Sequence, residues 1–279
     1  MGVSIIIPSR NEKYLSHTIT DVLLKSQGDI EVIAILDGYW PPPHEISWDK
    51  RVKYIHFTEP RGMRNAINSG VQLARNDYIL KTDAHCLFSL GYDLKLISDH
   101  QNFLLSQTVT VPRRYALDPD KWEIIDNPKY PIDYMYLSKD LHGETWTTKN
   151  RDVVLGYKKI DDLMSSQGSC WFMERSYFLD GIGGLDTDTY GTFYNEFQEI
   201  GFKVWLSGGS VVVNKSIYYA HWHKPKEVGR GYKLPDKEQE KAIAAIEKFR
   251  DPEYKGFKKQ IHSLQWLIDK FSPVPTWTT

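Results

Sequence analysis

The sequence predicts an α/β fold, with a mainly parallel central sheet, helices on both faces and a helical C-terminal extension. Three observations predict it. Over the first 112 residues, short apolar runs alternate with segments of helical period, the pattern of consecutive βαβ units. The first two of those runs, VSIIIP and IEVIAILD, are apolar at nearly every position instead of every second one, as strands buried on both faces are. After residue 235 the strand-like runs stop and two helix-period stretches follow.

The elements follow in chain order. VSIIIP (3–8) ends at Pro8 and reads as the first strand. Leu15, Ile19, Val22 and Leu23 stand at helical spacing and stop before Gly28. IEVIAILD (30–37) and RVKYIHF (51–57) are the second and third strands. A helix over 62–75 places Met63, Ala66, Ile67, Val71 and Ala74 along one face. DYILKTD (77–83) is the fourth strand, 91–105 a helix, and TVTVP (108–112) the fifth strand. Residues 113–167 are rich in Pro, Asp, Tyr and Trp and lack a clean period. Such an excursion in a compact enzyme reads as an acceptor-facing loop or lid. SCWFME (169–174) resumes strand character, and the turn GIGGLD (181–186) leads to a helix over 192–201. Strands are expected at 203–206, 210–213 and 217–222, then helices at 236–249 and 254–270. One domain over 1–223, with 224–279 packed on it as an extension, is the simplest organisation.

Composition narrows the function classes. The 279 residues are 41% hydrophobic and 25% charged, ordinary for a globular chain and unlike a disordered or collagen-like one. Two cysteines, Cys86 and Cys170, make neither a disulfide framework nor a Cys-based metal pattern. The opening MGVSIIIPSRNE lacks the basic start and long apolar run of a signal peptide. No stretch approaches the ~20 apolar residues of a spanning helix. A soluble, cytoplasmic protein is therefore expected. The net charge of -1 hides an asymmetry: 14 Lys+Arg against 8 Asp+Glu in 201–279, and 21 against 28 in 1–200. The basic C-terminal third suits either a solvated surface or an anionic partner.

Asp83-Ala84-His85 directly follows the fourth strand, where open α/β sheets bind their ligands. A carboxylate and an imidazole two residues apart can both reach a divalent ion such as Mn²⁺. Taken alone, Asp83 suits a helix cap and His85 a packed core histidine equally well. Asp37 closes the second strand before Gly38, so two carboxylates would line one crevice, one toward a ribose or base and one toward a metal. A turn-forming Asp-Gly is the alternative for that pair. His221 and His223, after an apolar strand, could add a third metal ligand. Glu196 and Glu199 share a helix face. They suit a general base or a solvated surface.

Together these residues resemble the nucleotide-diphospho-sugar transferases of the A-type fold. The similarity is to family 2 glycosyltransferases and the related polypeptide N-acetylgalactosaminyltransferases. VSIIIPSRNE is similar to their first strand, ILDG to the strand end that holds uridine, and RGMRNAINSGVQLARNDYILKTDAH to the stretch leading into the metal motif. GSCWFMERSYFLDGIGGLD, NEFQEIGFKVWLSGG and YYAHWHK follow in the family's order. The resemblance implies a metal-dependent glycosyltransferase that moves a sugar from a UDP-sugar to an acceptor hydroxyl. By position, Pro8, Arg10, Asn11, Glu12 and Asp37 would contact the nucleotide, and Arg64 would lie near the diphosphate. Asp83, His85 and His221 would hold Mn²⁺ or Mg²⁺, and Glu196 or Glu199 would act on the acceptor side. There are departures. The metal motif ends in His, as in the N-acetylgalactosaminyltransferases, where family 2 usually has Asp, and FYNEF replaces the former's Trp-Gly-Gly-Glu-Asn block.

The acceptor stays open between a saccharide or glycolipid, stacked on the Tyr- and Trp-rich excursion, and a hydroxylated base in DNA, tracked by HKPKEVGRGYK (223–233). Two rivals come from other classes. A sugar-phosphate nucleotidyltransferase carries a Gly-rich phosphate loop after its first strand, whereas PSRNEKYL has no glycine. A carbohydrate- or nucleic-acid-binding protein without catalysis has no need of three metal-type ligands in one crevice.

Overall fold

In the computed structural model, which describes residues 1–103, 107–125, 130–225 and 227–277, the apolar runs form the centre of the sheet. The N-terminal part comprises β1 (Gly2–Ser9), α1 (Leu15–Lys25), β2 (Asp29–Asp37), β3 (Val52–Phe57), α2 (Met63–Leu73), β4 (Tyr78–Thr82), β5 (Cys86–Phe88) and α3 (Tyr92–Phe103). β6 (Thr108–Asp118) is followed by the excursion, which holds β7 (Glu123–Ile125), β8 (Met135–Leu137), β9 (Gly143–Thr145), α4 (Thr147–Asn150), α5 (Val153–Tyr157) and β10 (Ile160–Asp162). Then come β11 (Cys170–Glu174), α6 (Thr187–Tyr190), α7 (Glu196–Trp205), β12 (Ser210–His221), α8 (Glu238–Glu247) and α9 (Leu264–Phe271).

The strand order is β10-β12-β6-β11-β4-β1-β2-β3, with β5 on β12 and β7 on β6. β3, β2, β1 and β4 run parallel, as do β6 and β12, while β11 and β10 run antiparallel to their neighbours. Alternation along β1 sends Val3, Ile5 and Ile7 into one core cluster with α1 and α3, and Ile6 into another with α2 and α7. Helices therefore cover both faces, as expected from doubly buried strands. Ala245 and Ile246 of α8, with Leu264, Leu267, Ile268 and Phe271 of α9, join the second cluster.

Five expectations need correction. Residues 203–205 continue α7 and do not form a strand. The run KVWL is buried on nearly every side there, so its apolar character does not distinguish strand from helix. The helix expected over 192–201 starts at Glu196, after Asn195 in a left-handed conformation (φ 57°). The strands at 210–213 and 217–222 are one strand, β12, with a register irregularity between Asn214 and Tyr218. Residues 113–118 belong to β6, since Arg113–Ala116 continue its ladder with β12. The helix expected over 254–270 begins only at Leu264, where the Ser263 hydroxyl caps it by accepting the Trp266 N–H. The amides of Ile261 and His262 are instead drawn to the Leu206 carbonyl. Residues 104–105 of the expected helix 91–105, 126–129 of the excursion, Lys226 of the basic stretch and residues 278–279 lie outside the described residues.

Candidate active site

Parallel pairing of β1, β2 and β4 delivers their C-terminal ends to one edge of the sheet. Ligands of open α/β sheets bind at that edge. A cavity of about 510 Å³ opens there, and Pro8, Arg10, Glu12, Asp37, Asp83, His85 and His221 all line it. Seven expected site residues, scattered over more than 200 positions, thus share one space.

β12 makes the long-range connection. Its antiparallel pairing with β5 sets His221 opposite Cys86, one residue from His85. One ligand atom from each of Asp83, His85 and His221 lies within 4.8 Å of the others. His85 Nε2 is 3.1 Å from His221 Nε2, which is 3.2 Å from Asp83 Oδ2. His85 Nδ1 is 3.1 Å from Glu12 Oε2. A carboxylate behind an imidazole fixes its ring and directs the other nitrogen at a metal. Two imidazole nitrogens and one carboxylate oxygen converging on one point fit a divalent ion. His223 also lines the cavity, but its ring packs edge-on against His221 at 4.7 Å and it stands outside the triad.

Burial and neighbouring charge set the protonation states. Burial alone would raise the Asp83 carboxyl, but the Lys81 ammonium, aided by His221, holds it well below the usual carboxylate range. Burial pushes the His221 imidazole down to about 3, against the pull of Asp83. It therefore stays neutral, with a lone pair to donate. Burial opposes ionisation of Glu12, yet His85 and Lys224 keep its carboxyl below the usual value.

The residues expected to face a nucleotide are held by turns. The Asp37 carboxylate accepts the amides of Arg61 (2.5 Å) and Gly62 (3.0 Å), tying the end of β2 to the start of α2. Gly38 turns away at φ 78°, and a Cβ there would sit 2.5 Å from the Pro60 ring. Asn11 takes a left-handed turn (φ 54°) and stays exposed, outside the cavity lining, while its neighbours Arg10 and Glu12 face in. The Arg10 guanidinium lies 4.1 Å over the Tyr232 ring, and Arg230 lies 4.7 Å over Phe193. Lys224 pairs with Glu12 at 2.5 Å. These groups give the cavity mouth a basic, aromatic rim.

Three further expected residues, Arg64, Glu199 and Glu196, join Asn11 outside the cavity lining. Arg64 is fully buried, paired with Glu199, with a second guanidinium nitrogen 2.6 Å from the Tyr194 carbonyl. Glu199 also accepts the Asp186 amide (2.8 Å) and pairs with Lys203 (2.7 Å). Glu196, on the same helix, points elsewhere: it accepts Trp171 Nε1 at 2.7 Å and Lys81 at 3.2 Å. Burial pushes its carboxyl upward.

The sequence reading missed Lys81, Trp171 and Gln167. Lys81 is 1% exposed inside an otherwise apolar strand. A charge in that position was the available signal, because such residues are rarely buried unless paired. Gln167 lines the cavity at the end of the excursion and accepts a hydrogen bond from Arg114.

Residues 4–178 match the family model for Glycosyl transferase family 2. The chain belongs to glycosyl transferase family 2. A curated relative, a probable N-acetylgalactosaminyltransferase 7 of Caenorhabditis elegans, is 22% identical over 252 residues, 82% of this chain and 40% of its own length. This family member therefore spans less than half of that relative. Among solved structures, GalNAc-T7 with UDP, GalNAc and Mn²⁺ superposes with a TM-score of 0.67 at 19% identity, over 84% of this chain and 45% of that one. S. aureus TarS 1–349 in complex with UDP-GlcNAc superposes at 0.58 and 14% identity, over 92% and 68%. These likenesses establish an A-type glycosyltransferase fold. Among the described residues no helix is long and apolar enough to cross a membrane.

Proposed function

We propose that this chain transfers a sugar from a UDP-sugar to an acceptor hydroxyl, with a divalent ion, Mn²⁺ or Mg²⁺, held by Asp83, His85 and His221. The observation that carries the reading is the convergence of that triad on a cavity also lined by Pro8, Arg10, Glu12 and Asp37. The solved neighbours, one with UDP and Mn²⁺ and one with UDP-GlcNAc, support a UDP-sugar donor. The bound ion would supply Lewis-acid stabilisation of the leaving diphosphate.

The chain's own residues do the rest. Asp37 holds the 61–62 turn and, with Pro8 and Arg10, frames the nucleotide end. Arg10, Lys224 and Arg230 place positive charge at the mouth, where a diphosphate leaves. Of the two carboxylates on α7, Glu196 is the acceptor-side candidate, because it joins Asp83 through Lys81. Glu199 and Arg64 serve the core. We assign residues 1–223 to donor binding and catalysis and 224–279 to a helical extension that braces them.

For the acceptor, a saccharide is favoured over a DNA base. The Trp222 ring lies 5.9 Å from His85 and 5.1 Å from Tyr14, which lies 6.2 Å from Trp122. That aromatic run leads from the metal ligands to a groove lined by Ser16, His17, Thr20, Asp21 and Trp122, a mix of ring faces and hydrogen-bonding groups suited to sugars.

The test is a thermal-shift panel of nucleotides and nucleotide sugars, with and without Mn²⁺, on wild type and Asp83→Ala. A ligand that binds only the folded state raises the melting temperature. A shift by UDP that needs Mn²⁺ and disappears in the variant supports the donor site. No shift from any nucleotide refutes it and leaves a binding protein on the family scaffold. Glycan and oligonucleotide acceptors supplied in parallel then separate the two acceptor classes.

A further inference from the structure

Lys81 enters the reading above only as the link between Glu196 and Asp83, yet it is the most enclosed charged group beside the metal ligands. Its ammonium lies 2.7 Å from Asp83 Oδ1, 3.2 Å from Glu196 Oε2 and 2.8 Å from the Gly168 carbonyl oxygen. The side chain is 1% exposed, so water does not screen these contacts, and all three hydrogens of the ammonium have acceptors. β4 fixes the arrangement: residues 81 and 83 stand two apart at its end, so their side chains leave on one side.

This geometry divides Asp83 into two halves. Oδ1 is occupied by Lys81, whereas Oδ2 faces His221 at 3.2 Å. Asp83 is therefore available to an ion through one oxygen only. It is also the sole carboxylate of the triad, and its charge is already offset by the adjacent buried cation. The neighbouring carboxylate, Glu12, is likewise taken, by Lys224 and by His85 Nδ1. A divalent ion arriving alone would find two imidazoles and a neutralised carboxylate, and would face the Lys81 ammonium behind it. A diphosphate changes this balance, because its own oxygens bring the missing negative charge to the ion.

We infer that Lys81 is a positioning residue that acts as a resident counter-cation of the metal centre. It fixes Asp83 for one-oxygen ligation and weakens the site for a bare divalent ion, so that metal and nucleotide diphosphate bind as a pair. The inference rests on the donor reading proposed above. Removing Lys81 frees Asp83 Oδ1 and leaves its charge uncompensated, and bare-ion affinity rises.

The experiment measures Mn²⁺ binding at fixed pH from the loss of the free-ion EPR signal, with and without UDP. It uses wild type, Lys81→Met, Lys81→Arg and the double variant Lys81→Met/Glu196→Gln. The double variant removes the cation together with one of its two carboxylates, so it keeps the floor's net charge and tests the idea if Lys81→Met does not fold. Wild type and Lys81→Arg are expected to bind Mn²⁺ at least tenfold more tightly with UDP than without. Both variants lacking the cation are expected to bind Mn²⁺ alone at least tenfold more tightly than wild type. Equal or weaker Mn²⁺-alone binding in those variants, with Mn²⁺–UDP binding to wild type intact, overturns the inference. Wild type that binds Mn²⁺ equally well without UDP overturns it too. Absence of Mn²⁺ binding to wild type even with UDP sinks the donor reading itself, and the inference with it.

Discussion

Helix α7 carries two glutamates three positions apart, and each ends in a cation-bridged cluster of a different kind. Glu199 meets Arg64 and Lys203, and both Arg64 and Glu199 are 0% exposed. Glu196 meets Lys81, which also holds Asp83, and the Asp83 side chain is 28% exposed. The residue chemistry is the same. One cluster is sealed and ties the 186–195 segment down through the Asp186 amide and the Tyr194 carbonyl. The other forms a cavity floor, with one oxygen and two imidazole nitrogens turned toward ligand space. Access to ligand space, not the presence of charge, separates a scaffold from a site.

The largest expected effect breaks the sealed cluster. Arg64→Met leaves Glu199 with Lys203 but without its buried guanidinium. It should lower the unfolding free energy by about 3 kcal/mol, the low end of the cost of breaking a buried ion pair, because Lys203 still offsets Glu199. Chemical denaturation measures this, and UDP affinity of the folded fraction should stay within about twofold. Loss of UDP binding with unchanged stability would invert the comparison. Asp83→Ala is the counterpart at the open cluster. It should reduce metal-dependent transfer on the order of 100-fold, within the several kcal/mol a metal contributes. Its melting temperature without ligand should change far less than that of Arg64→Met.

A pH series sharpens the contrast. The His221 imidazole accepts a proton only near pH 3 when folded because of burial, whereas in the unfolded chain it does so near 6.5. Unfolding below pH 6.5 therefore takes up a proton, and stability falls as pH drops toward 3, by up to about 1.4 kcal/mol per pH unit. Above 6.5 both states are neutral and the contribution is flat. His221→Gln should flatten the acid side of a melting-temperature profile recorded without metal, and an unchanged slope would refute the assignment. The smallest effect is at the rim: Trp222→Ala should raise the saccharide acceptor KM about fivefold, the scale of one ring contact near 1 kcal/mol. UDP binding should be unaffected.

Legibility followed locality. The parallel half of the sheet was readable because β1, β2 and β4 are buried on both faces, which forces nearly unbroken apolar runs. KVWL at 203–206 misled for the same reason, since a helix buried on nearly all sides shows no period. Asp83 and His85 were readable as a pair next to a strand end. Glu199 shared its suggestive spacing with Glu196, and the resemblance put Arg64 near a diphosphate, yet the two are packed together as a buried ion pair.

The sequence by itself determined which strands sit at the centre, where they end, and hence which side chains can reach the carboxyl edge of the sheet. Backbone direction and side-chain alternation are local properties, written in consecutive residues. Only the tertiary structure decided which of two glutamates joins Lys81 and which joins Arg64, and that His221 meets His85 across 136 positions. Those outcomes depend on strand register and on which charges share a water-excluded volume, and neither is encoded in any single segment.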